Sequence, residues 1–355
     1  MSRFGLSAER IPATRTLLAI GALCAALGAG PVAAQSAIPP YKLSTFAKST
    51  TAYTGPDSIV QWRESVLIGY QNGVAKDGTD GKSSTIVQYS LDGKVQRTFS
   101  VLGHNDGLRV VGDDKLWAVQ NEDANPSIEI IDLVSGTATT YLPPAPHGGG
   151  YDDLRVVGDD VFMTASNPNL DVNGVNVFPA LVRVTLSGGS LNLEPVLYGN
   201  SQAVSIASGK TVTLNLTDPD SLAVDPAGNI VVDSQADGVL VFVRRPLTAH
   251  QAVGVINITS AGAMTTLDDT AFAPRGRSFA LFSDVSGNTV YRLDRPTFGF
   301  EPGTAYSTSD TAGIVGVLNL DNGNLTAIAT GFVSTRGMIF VTSEKDGDRE
   351  KDGDR

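Results

Sequence analysis

Short apolar runs of four to seven residues, each closed by a Gly, Asp, Asn or Ser cluster, recur along the whole chain after residue 40. Such runs predict strands joined by tight turns, and no stretch shows the 3.6-residue period of an amphipathic helix. The pattern also repeats. Leu108-Arg-Val-Val-Gly-Asp-Asp114 recurs unchanged as Leu154-Arg-Val-Val-Gly-Asp-Asp160, and an acidic pair or Asp-Gly precedes each copy, at Asp106-Gly107 and Asp152-Asp153. Each copy runs into an apolar strand, Lys115–Gln120 and Val161–Ala165. Looser copies start at Asp57, Asp220 and Asp268, and a last one at Arg336.

The six key positions are spaced by 49, 46, 68, 48 and 68 residues. Three of these intervals match the roughly 40–50 residues of a four-stranded propeller blade. The two longer ones leave room for insertions, placed at Asn200–Lys210 and Pro296–Gly313. The second unit divides into strands 108–111, 116–119, 128–133 and 138–141. A four-stranded sheet apolar on both faces cannot bury them alone, and stacking around a ring covers each with a neighbour. The expected fold is all-β, a six-bladed β-propeller with five blades as the alternative. Closure is expected to be incomplete: the last unit has its first strand at 337–341, the segment 41–46 supplies an outer strand, and the middle strands are missing or borrowed from near residue 314.

The ends read differently. Arg3, Arg10 and Arg15 precede an apolar run from Leu17 to Leu27, and Val32-Ala33-Ala34 offers a cleavage site after Ala34. This is the pattern of a secretory signal peptide, too short to span a bilayer. Residues 344–355 read EKDGDR twice and predict a solvated, disordered tail. The propeller domain is thus placed at 35–343, secreted or periplasmic. Removing residues 1–34 takes away Arg3, Arg10, Arg15 and Glu9, so the remaining chain carries −13 against −11 for the whole. The one cysteine, Cys24, goes with it, which excludes thiol chemistry and disulfides from the domain. The acidity argues against nucleic-acid and anionic-membrane partners. A monomer is expected, with a small molecule, glycan or protein as partner.

The stretch Asp220-Ser-Leu-Ala-Val-Asp-Pro-Ala-Gly-Asn-Ile-Val-Val232, with Asp284-Val-Ser-Gly-Asn-Thr-Val-Tyr-Arg292, resembles the NHL and SMP-30/gluconolactonase group of propellers. The resemblance implies a calcium ion in the central channel, held at Asp57, at Asn105 or Asp106, at Asp152 and at Asp220, and a hydrolase acting on lactones or esters. Two steps depart from the group's pattern: Thr54-Gly55-Pro56 precedes Asp57 where Glu-Gly-Pro is expected, and Asp152 stands for Asn.

Ring symmetry leads to the same residues independently. Equivalent positions in stacked blades lie at equal radius, so Asp57, Asp106, Asp152, Asp220 and Asp268 should converge at one channel mouth, with Arg336 in the sixth place. Two carboxylates ~6 Å apart repel by about 0.7 kcal/mol in water and by several-fold more at lower dielectric. Arg336, protonation, water or a bound cation must offset that repulsion, and hard oxygen ligands favour calcium. The competing reading is that these Asp residues only shape turns. His104 and His147, two and five residues ahead of Asp106 and Asp152, are the candidate catalytic bases. Asn105 and Arg336 are the candidate ligand-binding groups. No nucleophile elbow, P-loop or zinc-protease motif is present.

Overall fold

The computed structural model describes residues 34–343. The expected tail, and the expected leader except Ala34, lie outside them. Every regular element among the described residues is a strand, and no helix long and apolar enough to cross a membrane is found among them.

The strands form six sheets, each with a four-stranded antiparallel path. Sheet one runs Pro56–Trp62, Ser65–Tyr70, Ser83–Ser90, Val95–Leu102 from inside outward, sheet two Asn105–Val111, Lys115–Gln120, Ser127–Asp132, Ala138–Tyr141, and sheet three Gly150–Val157, Asp160–Ser166, Pro179–Ser187, Ser190–Tyr198. Sheet four runs Pro219–Val224, Ile230–Ser234, Val239–Arg244, Ala252–Asn257, and the hairpin Gln202–Ser205/Thr211–Thr213 extends its edge as the first expected insertion. The innermost strands touch in the order one to six and back to one, so the chain is a closed β-propeller.

The burial pattern explains why these residues take these places. Second strands such as Ser65–Tyr70 and Ile230–Ser234 are buried at every position, because neighbouring sheets cover both faces. They read as continuous apolar runs. Outer strands such as Val95–Leu102 and Ala138–Tyr141 are largely exposed and polar. The core is six apolar clusters, one at each sheet-to-sheet contact, including that between sheets six and one. Trp117 is buried in the cluster between sheets two and three, as a packing residue.

Sheets five and six depart from the expected order. The strand Thr270–Phe272 opens sheet five, but the next two strands, Ser278–Asp284 and Thr289–Asp294, belong to sheet six. The chain then returns to complete sheet five with Ala305–Ser309, Ile314–Leu318 and Asn324–Thr330, and finishes as Thr335–Thr342, the inner strand of sheet six. The supposed insertion at 296–313 therefore supplies a middle strand of sheet five. The apolar run 279–282, next after Asp268 in the sequence, lies in sheet six and does not continue the unit that Asp268 opens. Sheet six is a full four strands, with Lys42–Lys48 as its outer member against Thr289–Asp294. The expected incomplete closure is thus replaced by a sheet stitched from both ends of the domain, which keeps either end from peeling away alone.

Candidate functional site

The key positions owe their orientation to one recurring distortion. In sheets one to four the pairing of first and second strands slips at the key residue: between Pro56 and Ile59, Asn105 and Leu108, Tyr151 and Leu154, and Pro219 and Leu222. In sheet six it slips at Arg336. Such bulges bend the strand and re-aim a side chain. The residue after the key position packs on the next inner strand. A Cβ on Gly107 would lie 2.3 Å from the Asp152 carbonyl oxygen, and one on Gly337 would lie 2.1 Å from that of Asp57, so these positions need glycine. Ser221 uses its hydroxyl there, donating to the Asp268 carbonyl.

The structure brings all six key side chains into one network at one end of the channel. Arg336 lies between Asp57 (3.7 Å) and Asp268 (3.6 Å). The Gln71 amide donates to Asp57 and, at 3.1 Å, to Asp106. His104 Nε2 stands 3.7 Å from Asp106 Oδ2 and 4.0 Å from Glu122 Oε1. Asp152 is within hydrogen-bonding reach of Glu122 and Asp220. Gln235 donates to Asp268 at 3.1 Å, the same service Gln71 performs three sheets earlier. All five key Asp residues are buried.

Burial and mutual repulsion dominate the electrostatics. Burial raises Asp57 to about 6, against the pull of Arg336. Burial also holds Asp106, Asp152, Asp220 and Asp268 well above the usual carboxylate range. Glu122 and Asp57 add to this at Asp106, and Asp220 adds to it at Asp152. Asp268 and Asp220 themselves differ: Asp268 raises Asp220, while Arg336 draws Asp268 back. Glu122 goes the other way: burial pushes it up, but the Lys76 ammonium paired with it brings it below its ordinary value. Six carboxylates thus share the cations Lys76 and Arg336, and the remaining repulsion adds to the rise in proton affinity at the Asp residues.

One subset has the makings of a metal centre. His104, Asp106 and Glu122 are the one such group among the described residues, with ligand atoms all within 4.8 Å of one another. Ligands ~2.0–2.5 Å from a common ion can span that distance. The fit rests on orphaned atoms. His104 Nδ1 lies 2.8 Å from the Val74 carbonyl oxygen, so that nitrogen carries the proton and donates it. Nε2 is left facing the two carboxylates, and buried Nε2 and Asp106 Oδ2 have no hydrogen-bond partner. A histidine oriented through its far nitrogen is the usual arrangement of a metal ligand. Lys76 supplies the monovalent charge on Glu122 that an ion would supply more strongly.

The remaining expected residues are placed elsewhere. His147 lies among Pro144, Pro146 and Tyr151, its Nε2 2.6 Å from the Gly150 carbonyl oxygen, and burial lowers its affinity for a proton. It braces its own loop and does not flank the carboxylates. Asn105 is fully buried, donates to Val119 O at 3.0 Å and packs over Gly69 of sheet one. It joins two sheets, and its Oδ1, against Gly69, has no hydrogen-bond partner. Glu122, Gln71, Lys76 and Gln235 were not among the sequence candidates. Gln71, Glu122 and Gln235 follow the second strands of their sheets, so a polar residue just past each apolar run was the available signal.

No protein family and no curated protein matches the chain by sequence. By structure it is similar to solved β-propellers. Virginiamycin B lyase from Staphylococcus aureus aligns at 13% identity and a TM-score of 0.48, over 79% of this chain and 86% of that one. A gluconolactonase-like protein aligns at 13% identity and 0.46, over 86% of each chain. A protein of unknown function from Bacteroides caccae aligns at 9% identity and 0.47, over 83% of this chain and 89% of the other.

Proposed function

We propose that this chain is an exported six-bladed propeller, each sheet one blade, that binds a ligand at the acidic mouth through a divalent cation. The observation that carries the reading is the buried, unpartnered pair His104 Nε2 and Asp106 Oδ2 beside Glu122. Those three residues would hold the ion. Asp57, Asp152 and Gln71 would supply further oxygen donors, which suits calcium, while the imidazole suits manganese or zinc. The ion would polarise an oxygen of the incoming group. Arg336 and the carboxyl groups around it would position a small molecule, a glycan or a protein segment by hydrogen bonds.

The test is calorimetric titration of chelator-treated, dialysed protein with calcium, manganese and zinc. The expected result is one ion per chain, with affinity lower by about tenfold or more in Asp106→Asn and Glu122→Gln. No binding by the untouched protein, or equal binding by the variants, overturns the reading.

A hydrolase of small lactones or esters is the second reading, favoured by the same unpartnered Nε2 of His104. That nitrogen faces the site, where a neutral imidazole would take a proton from an attacking water. Lactone turnover lost in His104→Ala would support it, and turnover unchanged in that variant would remove it.

A further inference from the structure

The other end of the channel carries guanidinium groups of its own. Three residues past each key position the inner strands present Val60, Arg109, Arg155, Ala223, Ala271 and Ile339. Sheets two and three therefore contribute guanidinium groups where sheets four and five contribute only methyls. The side chains missing opposite the arginines leave an open cavity of about 490 Å3, lined by Arg109, Arg155, Ala223, Ala271, Phe272 and Phe340 among others.

The two arginines are not equivalent. Arg155 pairs with Asp153 of its own strand at 2.6 Å and faces Asp269, at the start of sheet five, at 3.6 Å. Those carboxylates are also tied to backbone, Asp153 accepting from Leu222 N at 3.0 Å and Asp269 from Met338 N at 2.9 Å. Arg109 makes one hydrogen bond, Nε to Leu154 O at 3.3 Å, and among the described residues no carboxylate lies within ion-pair distance of it. Its terminal nitrogens are left for whatever enters the cavity. Burial and the neighbouring Arg155 cation lower its proton affinity to about 9, against the weaker pull of Asp153 and Asp269.

We infer that this second mouth is a binding site for a small organic carboxylate with an apolar body, its anionic end held by Arg109. A guanidinium offers a planar fork of donors that matches a carboxylate in two parallel hydrogen bonds. The alanine and phenylalanine walls suit a hydrocarbon or aryl group and do nothing for a hydrated inorganic anion. The cavity is of a size that accepts a small molecule. The site is separate from the acidic mouth and does not depend on its cation.

The experiment is a titration of the domain with benzoate, followed by backbone amide NMR shifts or calorimetry, with benzyl alcohol and inorganic phosphate as controls. The inference expects saturable benzoate binding with shifts at the inner strands of sheets two to five, and affinity weaker by about tenfold or more for benzyl alcohol and in Arg109→Gln. Ala271→Phe fills the cavity while leaving the arginine, and should also abolish binding. Circular dichroism checks that each variant folds, and if Arg109→Gln does not, the benzyl alcohol control and Ala271→Phe decide. Unsaturable benzoate shifts, equal binding of benzyl alcohol, unchanged affinity in a folded Arg109→Gln, or phosphate binding tighter than benzoate would each overturn it.

Discussion

The two mouths of the channel are built from the same six inner strands, three residues apart, yet they handle charge in opposite ways. At the acidic mouth six buried carboxylates meet two cations, and the excess is absorbed by raised proton affinities at five of them. At the arginine mouth two carboxylates meet two guanidiniums, but Arg155 takes both carboxylates and Arg109 is left over. Net balance and local pairing are therefore different things. A site is open for a ligand where pairing is incomplete, whatever the total charge. The acidic mouth lacks positive charge, and the arginine mouth lacks one correctly placed negative charge.

Breaking the two mouths in turn should show the contrast. Arg336→Met removes the cation between Asp57 and Asp268 and leaves both carboxylates buried without it. A loss of about 3–5 kcal/mol is expected in urea unfolding, larger at pH 8, where fewer of these groups hold protons, than at pH 5. A loss under about 1 kcal/mol would mean that the ring is solvated well enough to need no counter-charge. Arg109→Gln should behave differently. That side chain satisfies no buried carboxylate, so in ligand-free buffer its loss should change stability by no more than about 1 kcal/mol. A loss as large as that of Arg336 would show that Arg109 is a structural cation and would erase the distinction between the mouths.

How much of this was legible in the chain depends on which feature carried it. The duplicated Leu-Arg-Val-Val-Gly-Asp-Asp and its looser copies located the inner strands, because ring stacking forces equivalent residues into equivalent places. The convergence of Asp57, Asp106, Asp152, Asp220, Asp268 and Arg336 followed from that symmetry alone. The exchange of strands between sheets five and six did not. The run 278–284 is the more apolar and 305–309, Ala-Tyr-Ser-Thr-Ser, is rich in hydroxyls, yet both are second strands, and only pairing decides which sheet each joins. Glu122 was hidden because it sits beyond the end of a strand and acts through space on His104. His147 looked comparable to His104 by its spacing, but the Pro-rich segment before Asp152 turns it toward Gly150 and Tyr151. The second mouth was present in the repeat itself, as the Arg at its second position, yet its meaning came only from the alanines that other sheets place there.

The central claim is that the acidic mouth is kept short of positive charge for a cation to supply. Thermal unfolding between pH 5 and pH 8, in EDTA and again with a saturating divalent ion, tests it most directly. A carboxyl whose folded proton affinity is raised binds more protons folded than unfolded, so its contribution is full below about pH 4 and is lost as pH rises through its folded value. For Asp57, raised from 3.8 to about 6 while facing Arg336, His104, Glu122 and Asp269, this is worth about 3 kcal/mol by pH 8. The account predicts a melting temperature that falls from pH 5 to pH 8 in EDTA and is restored by the ion mainly at pH 8, with the restoration absent in Asp106→Asn. Melting temperatures that are the same with and without the ion at both pH values would contradict it.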